Sequence, residues 1–192
     1  GIIANIALRI NPNIDAGTHE KIRTGTAEDK FGIAWDMIPQ MTDNLKSLDH
    51  IALKGLAVHI GSQITTLAPF KAAFSRVKDL YKSLKAAGFP VDRIDLGGGL
   101  GIKYDEHTDS PATIHDYGQM IKALFEGEDI KLSLEPGRVI VGNAGILVSK
   151  LLYVKTGEEK SFAIMDAAMN DLMRPALYDA YHQMIPLNKK SG

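Results

Sequence analysis

The chain has 192 residues, a formal net charge of −1 and 45% hydrophobic residues, which is enough apolar material for a buried core. Near-neutral charge without a basic stripe argues against a nucleic-acid partner, and no apolar run is long enough to cross a bilayer. The absence of cysteine excludes disulfides and thiolate chemistry. With no signal-peptide pattern at the N-terminus, we expect a cytoplasmic protein.

Predicted strands and helices alternate from the start of the chain. Residues 4–10 have a strand pattern that is closed by the turn signal Asn11-Pro12-Asn13. Residues 15–32 are polar and glycine-rich, which predicts a long loop. The apolar spacing of residues 35–48 predicts a helix, and residues 53–60 predict a second strand.

The alternation continues through two more strands. Apolar residues recur at helical spacing over residues 70–84, and Gly88 stands where a helix-ending glycine belongs. A third strand covers residues 93–96. Ser110 and Pro111 are predicted to be the N-cap and first residue of a helix that ends at Gly127. A fourth strand covers residues 131–134.

The pattern changes after Asn143. Residues 146–154 and 161–165 predict longer β segments, with no further strand–helix alternation. We therefore predict two domains, residues 1–143 and 144–192. Four strand–helix units cannot close an eight-stranded barrel, which needs about 250 residues. The first domain is either an open α/β sheet or a section of a larger barrel, and the abrupt start of the chain favours the section.

Two glycine turns follow the third and fourth strands, Gly97-Gly98-Gly99 and Glu135-Pro136-Gly137-Arg138. In a parallel sheet both turns open at the carboxyl edge, where such folds bind ligands. Glycines let the backbone approach a phosphate closely, and an arginine adds charge and a planar set of donors. We predict that the two turns converge on one anion.

Other polar residues belong to the same predicted edge. His59 ends the second strand, where an imidazole either stacks on a flat cofactor ring or is a satisfied core histidine, and Ser62 offers a hydroxyl to a phosphate. Glu135 is either a partner for a protonated pyridine nitrogen or an acid on a surface turn. Arg174 and Tyr178 share a face if their segment is helical, and together they suit a carboxylate. The histidine spacings predict no metal site.

These segments together resemble the fold-type III pyridoxal-phosphate-dependent decarboxylases over nearly the whole chain. The run Arg174-Pro175-Ala176-Leu177-Tyr178 points to the diaminopimelate decarboxylase branch, while the glycine motifs are also similar to those of ornithine and arginine decarboxylases. The motifs that carry the resemblance are residues 17–32, His59-Ile60-Gly61-Ser62-Gln63, Asp95-Leu96-Gly97-Gly98-Gly99-Leu100-Gly101, Glu135-Pro136-Gly137-Arg138 and residues 166–178.

The resemblance implies the later half of an eight-stranded (β/α)8 barrel followed by the start of a β-sandwich-like domain, in a homodimer with shared active sites. It implies pyridoxal 5′-phosphate as cofactor and an amino acid as substrate. The substrate's distal end would be bound by Arg138, Arg174 and Tyr178. The implied cofactor-binding residues are His59, Ser62, Gly98, Gly99, Glu135, Pro136, Gly137 and Arg138.

The implied reaction is decarboxylation of meso-2,6-diaminopimelate to L-lysine. The family's Schiff-base lysine and its Cys-Glu motif have no counterpart in this chain, so we expect the chain alone to be inactive and place no catalytic residue in it. Two alternatives stay open. One is a decarboxylase of the same fold that acts on ornithine, arginine or carboxyspermidine. The other is a non-catalytic phosphate-binding module.

Overall fold

The computed structural model describes residues 1–15, 30–105, 107 and 110–187, so most of the predicted loop over residues 15–32 lies outside the described residues. Its backbone contacts group into two compact units. The first contains residues 1–102 and 110–142, and the second contains residues 103–109 and 143–192. Among the described helices, none combines the length and the apolar character that crossing a bilayer requires.

The first unit is built on a four-stranded parallel sheet. Its strands are β1 (Ala4–Ile10), β2 (Ile51–Val58), β3 (Arg93–Asp95) and β4 (Lys131–Ser133), and they lie side by side in chain order. All four predicted strands are confirmed, with bounds that differ by one or two residues for β2, β3 and β4. Because the strands are parallel, their carboxyl ends meet at one edge of the sheet.

Helices connect these strands. A 3-10 turn (Trp35–Met37) leads into α1 (Ile38–Lys46), which precedes β2. The long helix α2 (Ala68–Ala86) joins β2 to β3, α3 (Ile114–Phe125) joins β3 to β4, and the short α4 (Arg138–Val141) follows β4. This order of parallel strands and crossover helices confirms the predicted α/β fold class.

Aromatic side chains hold α2 and α3 together over the sheet. Phe70 and Phe74 of α2 are both 0% exposed, and the ring of Tyr117 from α3 meets Phe70 edge-on at 5.0 Å between centroids. Burial raises the pKa of Tyr117 to about 12. The apolar residues whose spacing predicted a helix over residues 70–84 form the buried face of α2.

Glycine ends α2 and α3 as predicted, whereas the predicted start of α3 is wrong. Gly88 and Gly127 adopt left-handed φ values of +87° and +76° just beyond α2 and α3. Helix α3 begins at Ile114, with Thr113 rather than Ser110 as its N-cap. The Thr113 hydroxyl accepts the Asp116 N–H at 3.0 Å and donates to the Asp116 carboxylate at 2.7 Å, a pairing that Ser110 does not make.

The second unit contains an antiparallel hairpin and one short helix. Strands β5 (Leu151–Thr156) and β6 (Ser161–Met165) pair around a turn that contains Gly157, and α5 covers Arg174–Tyr178. The first predicted β segment, residues 146–154, is displaced toward the C-terminus. Its early part lies before β5, and just before β5 the Asp166 carboxylate accepts the Lys150 N–H and the Ser149 hydroxyl while the Asp166 N–H donates to the Lys150 carbonyl oxygen at 3.1 Å. That this unit begins a β-sandwich-like domain stays a prediction.

Candidate functional site

The turn after β3 packs directly against the ends of its neighbouring strands. A methyl group placed on Gly97 would overlap the carbonyl oxygen of Val58, at the end of β2, and one on Gly98 would overlap the carbonyl oxygen of Glu135, just after β4. Gly97 also has a φ of +68°, a conformation that favours glycine. Glycine is required here because three stretches of backbone meet without room for a side chain.

The same turn is tied by hydrogen bonds and by a third close approach. Gly97 donates its N–H to the Asp95 carboxylate at 2.8 Å, and its carbonyl accepts the Glu135 N–H at 2.9 Å. Gly99, with a φ of +108°, lies against the carbonyl oxygen of Gly61. The two glycine turns are thus held against each other and against the loop after β2.

One cavity of about 160 Å³ opens where these turns meet. Both turns line it, as the predicted convergence requires. Gly98 and Pro136 are predicted cofactor residues that do not line it. The lining residues are His59, Ser62, Gln63, Gly99, Leu100, Glu135, Gly137 and Arg138.

His59 is a half-buried side chain at the wall of this cavity. Its Nδ1 accepts the Gly98 N–H at 3.3 Å. Burial lowers the pKa of His59, as does the Arg9 charge, while Glu135 and Asp95 oppose them. The lowered pKa favours the neutral imidazole, which is the form that an accepting Nδ1 requires. The Gly98 N–H, which we expected to hold a phosphate, is directed to His59 instead.

Charged groups of both signs line the cavity. Glu135 is exposed, and Arg138, the first residue of α4, is partly buried. The Arg138 guanidinium donates to the Gln63 side-chain oxygen at 3.1 Å. Arg138 offers donors to an anion and Glu135 offers an acceptor to a protonated nitrogen. The binding roles of both residues stay predictions.

Apart from the apolar Leu100, Gln63 is the lining residue to which sequence reasoning assigned no role. It belongs to the quoted His59–Gln63 motif, but nothing in the sequence indicates its side-chain partners. Those partners are Ile102, which lies 39 positions away, and Arg138, which lies 75 positions away. Only the fold brings these residues together.

Arg174 and Tyr178 lie in the second unit, at the two ends of α5. The structure confirms that their segment is helical and that Pro175 lies near its start. Arg174 donates to the hydroxyl of Tyr104 at 2.6 Å, and its guanidinium carbon lies 5.1 Å from the Tyr104 ring centroid. Tyr104, which belongs to the same unit, is a second partner that sequence reasoning missed.

The sequence profile of one protein family matches residues 3–142 and is described as "Pyridoxal-dependent decarboxylase, pyridoxal binding domain". The chain belongs to this family. The match covers β1 to β4 and every residue that lines the cavity. The predicted relationship to pyridoxal-phosphate-dependent decarboxylases is confirmed.

Relatives within the pyridoxal-dependent decarboxylases carry a more specific name. Diaminopimelate decarboxylase of Zymomonas mobilis is 47% identical over 94% of this chain and 43% of its own length. The Vibrio cholerae protein of the same name is 46% identical over 100% of this chain and 46% of its own length. The chain thus spans less than half the length of these relatives.

A solved structure has the same fold. Diaminopimelate decarboxylase of Helicobacter pylori, complexed with L-lysine, superposes with a TM-score of 0.92 at 39% identity, covering 100% of this chain and 48% of that chain. Among the residues that our structure describes, no group of three His, Asp or Glu side chains is placed to hold a metal ion.

Proposed function

We propose that this chain carries the pyridoxal 5′-phosphate site of an enzyme that decarboxylates meso-2,6-diaminopimelate to L-lysine. The observation that carries the proposal is a cavity lined by both glycine turns, in a chain of the pyridoxal-dependent decarboxylase family. The names of relatives that are 42–47% identical support the choice of substrate.

The residues of the cavity fit this cofactor chemically. A phosphate needs donors, which the Arg138 guanidinium and the Ser62 hydroxyl offer. A protonated pyridine nitrogen needs an acceptor, which the Glu135 carboxylate offers. A flat ring suits the imidazole of His59, whose lowered pKa favours the neutral form that adds no positive charge to the cavity.

The bound cofactor supplies an electron sink for the carbon that loses carbon dioxide. The chain's own residues bind and orient. Glu135 keeps a proton on the ring nitrogen, because a carboxylate favours a positive charge beside it. Arg138 and Ser62 fix the phosphate, and His59 limits movement of the ring.

We assign the distal end of the substrate to Arg138, Arg174 and Tyr178. A guanidinium matches a planar carboxylate better than a lysine does, because it donates through two parallel N–H groups. Substrates without a distal carboxylate would lack these charge-assisted hydrogen bonds, each of which contributes about 1.5–3 kcal/mol on general grounds. We also propose a cytoplasmic homodimer with shared active sites.

Cofactor binding is the direct test on this chain. We expect wild-type chain to bind pyridoxal phosphate, followed by the absorbance of the ligand, and Arg138→Met to bind it at least about 10-fold more weakly, because a charge-assisted hydrogen bond is lost. Arg93→Met is the matched control, since Arg93 pairs with Asp92 on the surface. Equal binding by all three proteins would contradict the proposed site.

The reaction is tested by substrate comparison in the longer polypeptide that we propose contains this chain. We expect release of carbon dioxide from meso-diaminopimelate and little from L-ornithine or L-arginine, while the 192-residue chain alone releases none. Preference for ornithine or arginine would indicate one of the sister decarboxylases. Cofactor binding without turnover of any of these would indicate a binding module.

A further inference from the structure

We infer that Gln63 is the positioning residue for Arg138, and that it sets how strongly the cavity holds an anionic group. This rests on the proposed function only in taking that group to be a phosphate. Gln63 and Arg138 both line the cavity and are joined directly, with the Arg138 Nη1 donating to the Gln63 Oε1 at 3.1 Å.

The backbone of Ile102 fixes the side-chain amide of Gln63 through two hydrogen bonds. Its Nε2 donates to the Ile102 carbonyl oxygen at 2.6 Å, and its Oε1 accepts the Ile102 N–H at 3.1 Å. The two bonds form a closed pair, which determines which end of the amide is oxygen and which is nitrogen. The oxygen must therefore face Arg138, and it accepts two donors at once.

The backbone at Gln63 supports a role for its side chain. Gln63 has a φ of +57°, a left-handed conformation in which glycine is favoured. A glycine would relieve the backbone but would leave the Ile102 peptide and the Arg138 guanidinium without this amide. An unfavourable conformation kept at a cavity wall indicates that the side chain is needed there.

The guanidinium of Arg138 gains a fixed position from this arrangement. Arg138 starts α4, a helix of four residues, and its side chain has several rotatable bonds. A guanidinium has five N–H donors, and it is the Nη1 group that meets Gln63. Fixing the side chain in advance reduces the ordering that binding would otherwise require.

Anion binding in a double-mutant cycle tests this. Gln63→Met keeps an unbranched side chain of similar size and removes the amide. We expect it to weaken binding of both inorganic phosphate and pyridoxal phosphate by about 10-fold in wild-type background and by less than about 2-fold in Arg138→Met background. Gln119→Leu, at an exposed position on α3, should leave binding unchanged.

A second measurement does not depend on any ligand. Relaxation of the Arg138 Nε–H, measured by ¹⁵N NMR, should report an ordered side chain in wild type and a mobile one in Gln63→Met. If Gln63→Met does not fold, Gln63→Gly replaces it, because glycine suits the left-handed backbone at this position. It removes the amide without adding a charge, so phosphate binding should fall in wild-type background and change little in Arg138→Met background.

The outcomes distinguish the positioning role of Gln63 from the proposed function of the chain. If wild type binds pyridoxal phosphate and Gln63→Met binds it equally well, the positioning role is wrong and the proposed function stands. A loss of the same size in Arg138→Met background also overturns the role, because Gln63 would then act without Arg138. If wild type binds no pyridoxal phosphate, the proposed function is wrong, and the order of the Arg138 side chain alone decides the positioning role.

Discussion

Gly98 is the residue on which the contact between the two glycine turns depends. It is buried, and the carbonyl oxygen of Glu135 occupies the place where a side chain would begin. The turn sequence predicted that glycine is needed, but for close approach to a phosphate. The structure shows a different reason, since the approach is that of the chain to itself.

Gly98→Ala should therefore destabilise the chain. We expect a loss of about 1–3 kcal/mol in the free energy of unfolding, measured by urea titration, because the added methyl group forces the turns apart. Gly118→Ala is the matched control. Gly118 lies in α3 with open space around it, so alanine there should stabilise by about 0.5–1 kcal/mol. A Gly98→Ala chain as stable as wild type would refute the packing argument.

His59 gives a pH dependence with a definite sign. Burial lowers its pKa in the folded chain below the ordinary value of 6.5, so the unfolded chain binds more protons at pH values between the two. The contribution to stability is complete above pH 6.5 and is lost as the pH falls through the lowered pKa. Protonation of Nδ1 also removes the acceptor of the Gly98 N–H.

NMR titration of the His59 Cε1 proton should show a midpoint below 6.5, with the resonance assigned by its absence in His59→Gln. The loss of unfolding free energy between pH 7 and pH 5.5 should be smaller in His59→Gln than in wild type, because that variant has no group to protonate there. A midpoint at or above 6.5 would show that burial does not control this imidazole.

At the level of helices and strands, the N-terminus of α3 shows how a capping contact determines where a helix begins. Thr113→Ala should cost about 1 kcal/mol of unfolding free energy, because it removes the acceptor for the Asp116 N–H. Ser110→Ala should change stability by less than about 0.5 kcal/mol, since Ser110 is an exposed residue outside the helix. The reverse order of the two effects would restore Ser110 as the cap.

Much at this level could be predicted from the sequence, and the exceptions have physical causes. The apolar stripe of α2 and the glycines that end α2 and α3 were found because the signal lies within a few residues. Ser110 was predicted to cap α3, but Thr113 caps it and pairs with Asp116, a contact that the Ser-Pro signal does not indicate. Just before β5, the Lys150 N–H donates to the carboxylate of Asp166, a residue 16 positions away that the local sequence pattern does not indicate.

The candidate site was predictable in the same uneven way. His59, Glu135 and Arg138 stand at strand ends and in motifs, so their positions followed from the alternation of strands and helices. Gln63 and Tyr104 act through side-chain bonds to residues far away in sequence, namely Arg138 and Arg174. No pattern in one sequence shows such bonds.

For the whole chain, the two compact units differ in how much they bury. The first unit has a core in which Phe70, Phe74 and Ile94 are fully buried. In the second unit, none of the described residues is buried. The side chains of Leu151 and Tyr153 in β5 are 48% and 58% exposed. A two-stranded ribbon with so little cover is marginally stable by itself.

Hydrogen exchange followed by mass spectrometry should separate the units. We expect amides of β2 and α2 to exchange at least about 10-fold more slowly than those of β5 and β6, because opening of the hairpin exposes little that is buried. Peptides from α1, a helix at the edge of the first unit's core, provide an intermediate reference. Equal protection of the amides in both units would contradict the expectation that the hairpin is only marginally stable.

The backbone contacts of Gly97, Gly98 and Gly99 have a consequence for affinity. The turn that they form supports the cavity wall at Gly99, and each glycine packs against a backbone carbonyl oxygen of another segment before any ligand binds. A ligand therefore does not have to order these segments when it binds, because their conformational entropy is already lost when the chain folds.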